Sequence, residues 1–356
     1  MVTLILLGIG VVMVFSASSV RAYEYYRDSY YFLKRQLLWS VIGVIAMIFT
    51  MHIDYRLLRR FAAPILVVTL VLLIVVLIPG VGLMISGSRR WLGVRGIFTF
   101  QPSELAKVGM MVFLSSYLSR DPEEVKSFLK GVVPVLLLLG IVFGLIMLEP
   151  DLGTATSIAG VTLVMLFVAG ARTSHLIGLG IVGIPAFIAA VFAEDYRRRR
   201  FLAFLHPWDD PLRSGFHIIQ SLLALGSGGI FGLGLGRSRQ KFLYLPEQHT
   251  DFIFAVLGEE LGFVGAATVV ILFFIFAWRG FRVALATSDP FASLLATAIT
   301  SMVVLQAVIN IGVVSGILPI TGIPLPLISF GGSSLVVTLS SIGILLNISR
   351  YVRGRS

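Results

Sequence analysis

The 356-residue chain contains no cysteine, which excludes a disulfide framework and any thiolate metal site. Charge is scarce as well. Asp, Glu, Lys and Arg make up 13% of the residues against 57% hydrophobic, and the mean hydropathy is +0.96. That balance excludes an ordinary soluble globule and leaves an integral membrane protein. Soluble-domain stretches, low-complexity tracts and clear internal repeats are missing too. Acid is the scarcer sign, 18 residues against 28 Lys and Arg, for a net charge of +10. In a membrane protein, excess base first means cytoplasmic loops held by the positive-inside rule, and then attraction to anionic lipid or a phosphate-bearing substrate. The basic residues are scattered over loops rather than gathered on one polar face, so nucleic acid is not an expected partner. Residues 1–17 lack the basic start of a signal peptide and read as a retained first span.

What is present is a series of apolar runs. Ten segments read as transmembrane helices: 1–17, 37–51, 61–78, 105–118, 132–148, 155–168, 176–193, 252–278, 291–311 and 335–348. The expected fold is an all-α integral membrane protein, one polytopic domain over 1–356. One set of connections is short and basic, with Arg56, Arg59 and Arg60; Arg120, Lys126 and Lys130; Arg172; Arg279 and Arg282; and a tail bearing Arg350, Arg353 and Arg355. This set and both termini are expected in the cytoplasm. The other set, 18–36, 79–103, 149–154, 194–251 and 312–334, is longer and more irregular, and is expected outside. The longest is an extracytoplasmic loop, 194–251, between helices 7 and 8. Within it, GFHIIQSLLALGSGGIFGLGLG (215–236) carries six glycines between 226 and 236 and makes a poor helix. It reads as an amphipathic or re-entrant segment whose backbone must be satisfied by protein or water.

Function is sought where charge enters lipid depth or irregular backbone lines a cavity. The stretch LPEQHTDFIFAVLGEELGFVG (245–265) sets Glu247, Asp251, Glu259 and Glu260 in apolar surroundings. Thr250 or Asp251 suits a helix N-cap. Glu259 and Glu260 then lie roughly 12–13 Å deeper on the same helix, too far to form a tight carboxylate pair with Asp251. On spacing alone, capping is the more economical role for Asp251. In QPSELAK (101–107), Pro102 suits the first helical position, and Glu104 and Lys107 share a face and can pair. In EPDLGTA (149–155), turn capping is the simplest role for the acids, with Asp151 a weak candidate metal ligand. Base expected outside comprises Arg89, Arg90 and Arg95; Arg197 to Arg200, which suit lipid headgroups; and Arg237, Arg239 and Lys241. Guanidinium forks suit a pyrophosphate. Residues 316–334, GILPITGIPLPLISFGGSS, force extended backbone ahead of the last helix.

Together these motifs resemble the SEDS family (shape, elongation, division and sporulation), which includes RodA, FtsW and SpoVE proteins. The resemblance is carried by Arg89-Arg-Trp91, QPSELAK, EPDLGTA, RFLAFLHPWDDP from Arg200, GFHIIQSLLALGSGG, the 245–265 stretch, and Asn310…Gly316-x-x-Pro319-x-x-Gly322…Ser329-Phe-Gly-Gly-Ser-Ser. Phe330 departs from the usual Tyr, Ser or Ala of the pattern. The near absence of terminal extensions looks more like RodA than FtsW. The resemblance implies a ten-span glycosyltransferase of the bacterial cytoplasmic membrane that polymerises lipid II into peptidoglycan strands for elongation and cell shape. It also implies a class B penicillin-binding protein, a transpeptidase, as partner. The family's essential acid matches Asp251, which overrides the capping reading.

Such polymerisation is a single inverting displacement of undecaprenyl pyrophosphate by a sugar C4 hydroxyl. It requires one base and positive charge on the leaving group. Asp251 is the expected base. Arg90, Arg237 and Lys241 are the expected contacts of the pyrophosphate, with Glu104 and Lys107 lining the substrate cavity. A divalent cation (Mg or Mn) held by the pyrophosphate and a carboxylate such as Asp151 is an alternative. A lipid II flippase, or a non-catalytic scaffold for the transpeptidase, is the competing class.

Overall fold

The computed structural model describes residues 1–85, 88–94, 98–213, 215–242 and 245–353. Arg95 and Arg355 lie outside the described residues. Each of the ten apolar segments falls on a helix: α1 (Val2–Tyr26), α2 (Tyr31–His52), α4 (Ala62–Leu77), α5 (Pro102–Leu118), α7 (Val133–Leu148), α8 (Leu152–Val168), α9 (Thr173–Phe192), α12 (Ile253–Ala286), α13 (Pro290–Val314) and α14 (Gly332–Arg353). Short helices α3 (Tyr55–Arg60), α6 (Pro122–Val125), α10 (Asp195–Leu205) and α11 (Phe216–Gly228) complete the series. Among the described residues, seven helices are both long and apolar enough to cross a membrane, the third being α7 extended by the π-helical turn Phe128–Val132. Helices α4, α8 and α11 are apolar but shorter.

Two expected loops are in fact ordered. Residues 18–36 are almost wholly helical, because α1 runs on to Tyr26 and α2 begins at Tyr31. Arg27, at φ 55°, ends α1 in the left-handed region and returns its amide to the Tyr23 carbonyl. Hydropathy falls off before the helix does, since Arg21, Tyr23, Tyr25 and Tyr26 are tolerated by helical backbone. Residues 79–103 hold a three-stranded antiparallel sheet, β1 (Leu83–Ile85), β2 (Ser88–Val94) and β3 (Phe98–Phe100). Strands this short leave too few alternations for a period of two to show.

The chain forms two compact units, each built from three separated stretches. The first comprises Met1–Ser40, Gly180–Phe276 and Gln306–Gly331, and the second Val41–Leu179, Ala277–Leu305 and Gly332–Ser356. In the second, Asn347 donates to the Met51 carbonyl at 2.9 Å and accepts the Tyr55 amide at 3.1 Å, tying α14 to the α2–α3 corner. In the first, Ser221 of α11 donates to the Val314 carbonyl at the end of α13 (2.7 Å).

The expected continuous span 252–278 is interrupted. Gly262 sits at φ 67°, ψ −167°, so α12 breaks there. A break strands amides and carbonyls that lipid cannot satisfy. The glycine-rich segment supplies the partners. Phe263 and Val264 donate to the Gly229 and Ile230 carbonyls (2.9 and 3.1 Å). Leu233 and Gly234 donate to the Glu259 and Glu260 carbonyls (both 3.0 Å). Side chains would prevent this approach: a Cβ on Gly232 would clash with the Glu260 carbonyl, and one on Gly262 with the Gly232 amide and Ile230 carbonyl.

Gly262→Ala therefore meets both a backbone region costing about 1–3 kcal/mol for a non-glycine residue and a backbone clash. Thermal unfolding in detergent is expected to show a fall in Tm of several degrees. Gly226→Ala, in α11 with open space around its Cα, is expected to leave Tm unchanged or raise it.

Candidate functional site

Asp251 belongs to the first unit and lies in the turn before α12, not at the N-cap expected of it or of Thr250. Glu247 adopts φ 50°, and its carbonyl accepts the amides of Thr250 and Phe252 (both 3.2 Å), which delays the helix to Ile253. Thr250 turns its hydroxyl back to the Glu247 carboxylate (3.1 Å). The three carbonyls leading to the helix are each held by the proline- and glycine-rich segment or the end of α13. The Phe330 amide donates to the His249 carbonyl (2.9 Å), the Ser329 hydroxyl to that of Thr250 (2.6 Å), and the Asn310 amide group to that of Asp251 (2.8 Å). Asn310 also donates to the Ile323 carbonyl (2.8 Å), and Ser329 accepts the Leu325 amide (2.8 Å), so the clamp is itself braced. Gly322, at φ 77°, faces the Asp251 carboxylate: a Cβ there would lie 3.6 Å from Oδ2. The terminal Asn-Gly-Ser motif thus fixes the backbone of Asp251.

Glu259 and Glu260 lie deeper on α12, just ahead of its break at Gly262. Both are buried and hold the segment following the glycine run. Glu259 accepts the Arg239 amide (3.0 Å), the Gln240 amide (3.4 Å) and the hydroxyls of Ser238 and Ser227 (2.5 and 3.4 Å). Glu260 accepts the Ser16 hydroxyl of α1 (2.6 Å), the Ser238 amide (3.3 Å) and the Lys241 ammonium (3.4 Å). Lys241, expected at a pyrophosphate, is buried against Glu260 and the Gly236 carbonyl. Arg237 and Arg239 lie on the same segment and are exposed. Two adjacent carboxylates in an apolar helix stand out in the sequence, but their role does not. The adjacent glycine run was the available signal.

The second unit holds the other candidates. Pro102 opens α5 and places Glu104 in its first turn, and Lys107 pairs with Glu104 at 2.7 Å, both side chains buried. Arg90 of β2 donates to the Glu149 and Pro150 carbonyls (2.7 and 2.5 Å), placing a cation at the C-terminus of α7. Asp151 caps α8. Its oxygens accept the Thr154 amide and hydroxyl (both 3.0 Å) and the Gln101 side-chain amide (3.0 Å). Those bonds occupy the carboxylate proposed for a divalent cation. Among the described residues, no group of three His, Cys, Asp or Glu is arranged to hold a metal. Glu149 is fully buried, and neither carboxyl oxygen has a hydrogen-bond partner. Burial first, then the neighbouring Asp151, push its pKa up to about 8 against the opposing pull of Arg90.

Ten apolar helical segments, a helix broken against a glycine-rich segment and an acid clamped at the helix mouth define a polytopic membrane protein with an irregular polar centre. The chain matches the FtsW/RodA/SpoVE family, described as "Cell cycle protein", over residues 1–354, and it belongs to that family. It is 51% identical to stage V sporulation protein E of Bacillus subtilis (strain 168), over 99% of this chain and 96% of that one. It is 46% identical to a probable peptidoglycan glycosyltransferase FtsW of Geobacter sp. (strain M18), with the same coverage. Among solved structures, a chain from a peptidoglycan synthase complex superimposes with a TM-score of 0.80 at 31% identity, covering 98% of this chain and 97% of that one. The rod shape determining protein RodA of Thermus thermophilus gives 0.72 at 30% identity, covering 98% and 94%.

The raised pKa of Glu149 has a consequence for stability. An unfolded Glu ionises near 4.5 and the folded one near 8, so folding loses stability as pH rises between those values, and the full cost is present above about 8. Glu149→Gln removes that dependence. Its Tm advantage over the unsubstituted protein is expected to widen from pH 5 to pH 8.5; a gap that does not change with pH would contradict a buried neutral acid.

Proposed function

We propose that this protein is a peptidoglycan glycosyltransferase that polymerises glycan strands from lipid II. The carrying observation is Asp251, a partly exposed acid in a turn whose three successive carbonyls are each held by a separate donor, with Gly322 against its carboxylate. Such immobilisation suits a group that must meet a reacting hydroxyl without reorganising. In the proposed step Asp251 takes the proton from the C4 hydroxyl of the acceptor sugar as that oxygen bonds to the anomeric carbon of the lipid-linked chain. The bond to undecaprenyl pyrophosphate breaks with inversion. Positive charge for the leaving group is assigned to Arg237 and Arg239, exposed on the segment that Glu259 and Glu260 secure. Lys241 is left out of that role because Glu260 already balances it. In the second unit, Arg90 and the Glu104–Lys107 pair are proposed as supports, the first for the Glu149–Asp151 turn and the second for the start of α5.

The relatives' names support the activity, and the family resemblance supports a class B transpeptidase partner. We further propose the bacterial cytoplasmic membrane, with both termini inside and Asp251 outside, from the density of base in the short loops. The relatives above with the higher identities are named stage V sporulation protein E and FtsW rather than RodA, so the proposal is for the polymerase reaction and not for elongation in particular.

Asp251→Asn keeps the side-chain volume and leaves the carbonyl clamp intact, so Tm is expected to hold within a few degrees. Polymer made from lipid II by the purified protein with its transpeptidase partner is expected to fall by about 10²-fold or more. A folded Asp251→Asn protein with full activity would remove the assignment. An unsubstituted protein that moves lipid II between leaflets but makes no polymer would favour the flippase class instead.

A further inference from the structure

Within the first unit, a hollow of about 220 Å³ is lined by Arg21, Tyr25 and Tyr26 at the end of α1, Phe32 in the first turn of α2, and Glu247 and His249 in the turn before α12. It is smaller than the ~300–1,000 Å³ of sites for drug-sized ligands, so it suits a single ring. The aromatic walls are fixed by their neighbours. Tyr26 stacks on Tyr31 with centroids 3.7 Å apart, while Phe32 meets Tyr26 edge-on and packs against both His249 (4.4 Å) and Phe330 (5.1 Å). The polar rim is formed by Arg21 and Glu247, 3.6 Å apart and partly exposed, with the Arg21 guanidinium 5.8 Å from the Tyr25 ring centre.

His249 is the unusual member. It is only 5% exposed, and its Nδ1 has no hydrogen-bond partner although its carbonyl is bonded to Phe330. Burial, reinforced by Arg21 and opposed by Glu247, holds its pKa down at about 4. It is therefore neutral, with one ring nitrogen a donor and the other an acceptor. Arg21 and Glu247 cancel, so the hollow as a whole carries no net charge. That disfavours a pyrophosphate, and the polar rim disfavours a lipid tail. Flat aromatic walls beside neutral and paired polar groups suit a pyranose, whose C–H face packs on a ring while its hydroxyl and acetamido groups reach the rim.

The hollow is also near the proposed base. His249 and Asp251 are two residues apart, so their Cα atoms are at most about 7 Å apart. We propose that this hollow seats the acceptor sugar, an N-acetylhexosamine ring, and presents its C4 hydroxyl to Asp251. The inference rests on the polymerase reading and on Asp251 as base. In the step it serves, the C4 oxygen bonds to the donor's anomeric carbon and its proton passes to the Asp251 carboxylate. The anomeric carbon–oxygen bond to pyrophosphate breaks, and its electron pair leaves with the undecaprenyl pyrophosphate.

The test uses a soluble tetramer of β1,4-linked N-acetylglucosamine, whose non-reducing end bears the same free C4 hydroxyl. It is added to lipid II polymerisation by the full chain with its transpeptidase partner, and its binding is read separately by saturation-transfer NMR on the purified protein. Variants are Phe32→Leu, which keeps apolar volume but removes the flat face, His249→Gln, and Arg21→Gln at a partly exposed position that folding tolerates. The unsubstituted protein is expected to be inhibited competitively. The variants are expected to raise both the inhibition constant and the KM for lipid II by about tenfold, with kcat falling less than threefold. If the aromatics serve only to anchor the chain at a membrane interface, Tm will move while the inhibition constant does not, which overturns the proposal. An active protein that the tetramer neither binds nor inhibits also overturns it and leaves the polymerase reading intact. A protein that makes no polymer at all while still binding the tetramer fails the polymerase reading rather than the sugar seat.

Discussion

A helix that breaks inside an apolar protein must find partners for its stranded amides and carbonyls, and that requirement organises the first unit. At Gly262 the partners come from residues 229–234, which run alongside residues 259–264 of α12. Two carboxylates sit just before the break. Each would cost several kcal/mol to bury alone. Glu259 and Glu260 are instead surrounded by donors from residues 227 and 238–241 and from Ser16, so the charges that the break brings inside become the anchors of the segment beyond it. The glycine run, the acid pair and Lys241 are thus one device. Its product is a fixed loop carrying exposed Arg237 and Arg239.

Downstream of that loop, the turn ahead of α12 is secured in a second way. Phe330, Ser329 and Asn310 each bind one of three consecutive carbonyls, so the backbone that carries Asp251 is held at successive residues. The clamp acts on the carbonyls of residues 249, 250 and 251, so it fixes the path of the turn that carries the carboxylate. Gly322 supplies the space in front of it. An inverting displacement of a pyrophosphate asks a protein for a positioned base and for positive charge at the leaving group, the roles proposed for Asp251 and for Arg237 and Arg239.

Much of this was legible in the sequence where the signal is local. The ten apolar runs, the Pro102 start of α5 and the pairing of Glu104 with Lys107 follow from hydropathy and helical spacing, and the structure has each of them. The glycine-rich stretch 215–236, expected to be a poor helix, is one only in part: residues 216–228 form α11, and the residues beyond it are irregular and supply the backbone partners. What was not legible depends on contacts distant in sequence. The N-cap expected at Thr250 or Asp251 fails because the Glu247 carbonyl accepts the following amides and donors distant in sequence bind the carbonyls of the turn. The break at Gly262 is favourable only because residues 229–234 lie against it, and the fate of Lys241 is decided by Glu260, nineteen residues away. The sheet of residues 83–100 is too short to declare itself by alternation. Among the described residues, seven helices meet the length and composition of a membrane crossing, while α4, α5 and α8 are shorter than the hydrocarbon thickness requires unaided.

The central claim is that one carboxylate, Asp251, removes the proton from the attacking hydroxyl. The pH dependence of kcat/KM for lipid II polymerisation tests it most directly, since the acid limb of that profile reports the ionisation of the base in the free enzyme. The account predicts an acid limb with unit slope in the unsubstituted protein, and a residual rate in Asp251→Asn that is flat across the same range. An acid limb of unchanged position in Asp251→Asn would show that another group carries the proton, and would contradict the account.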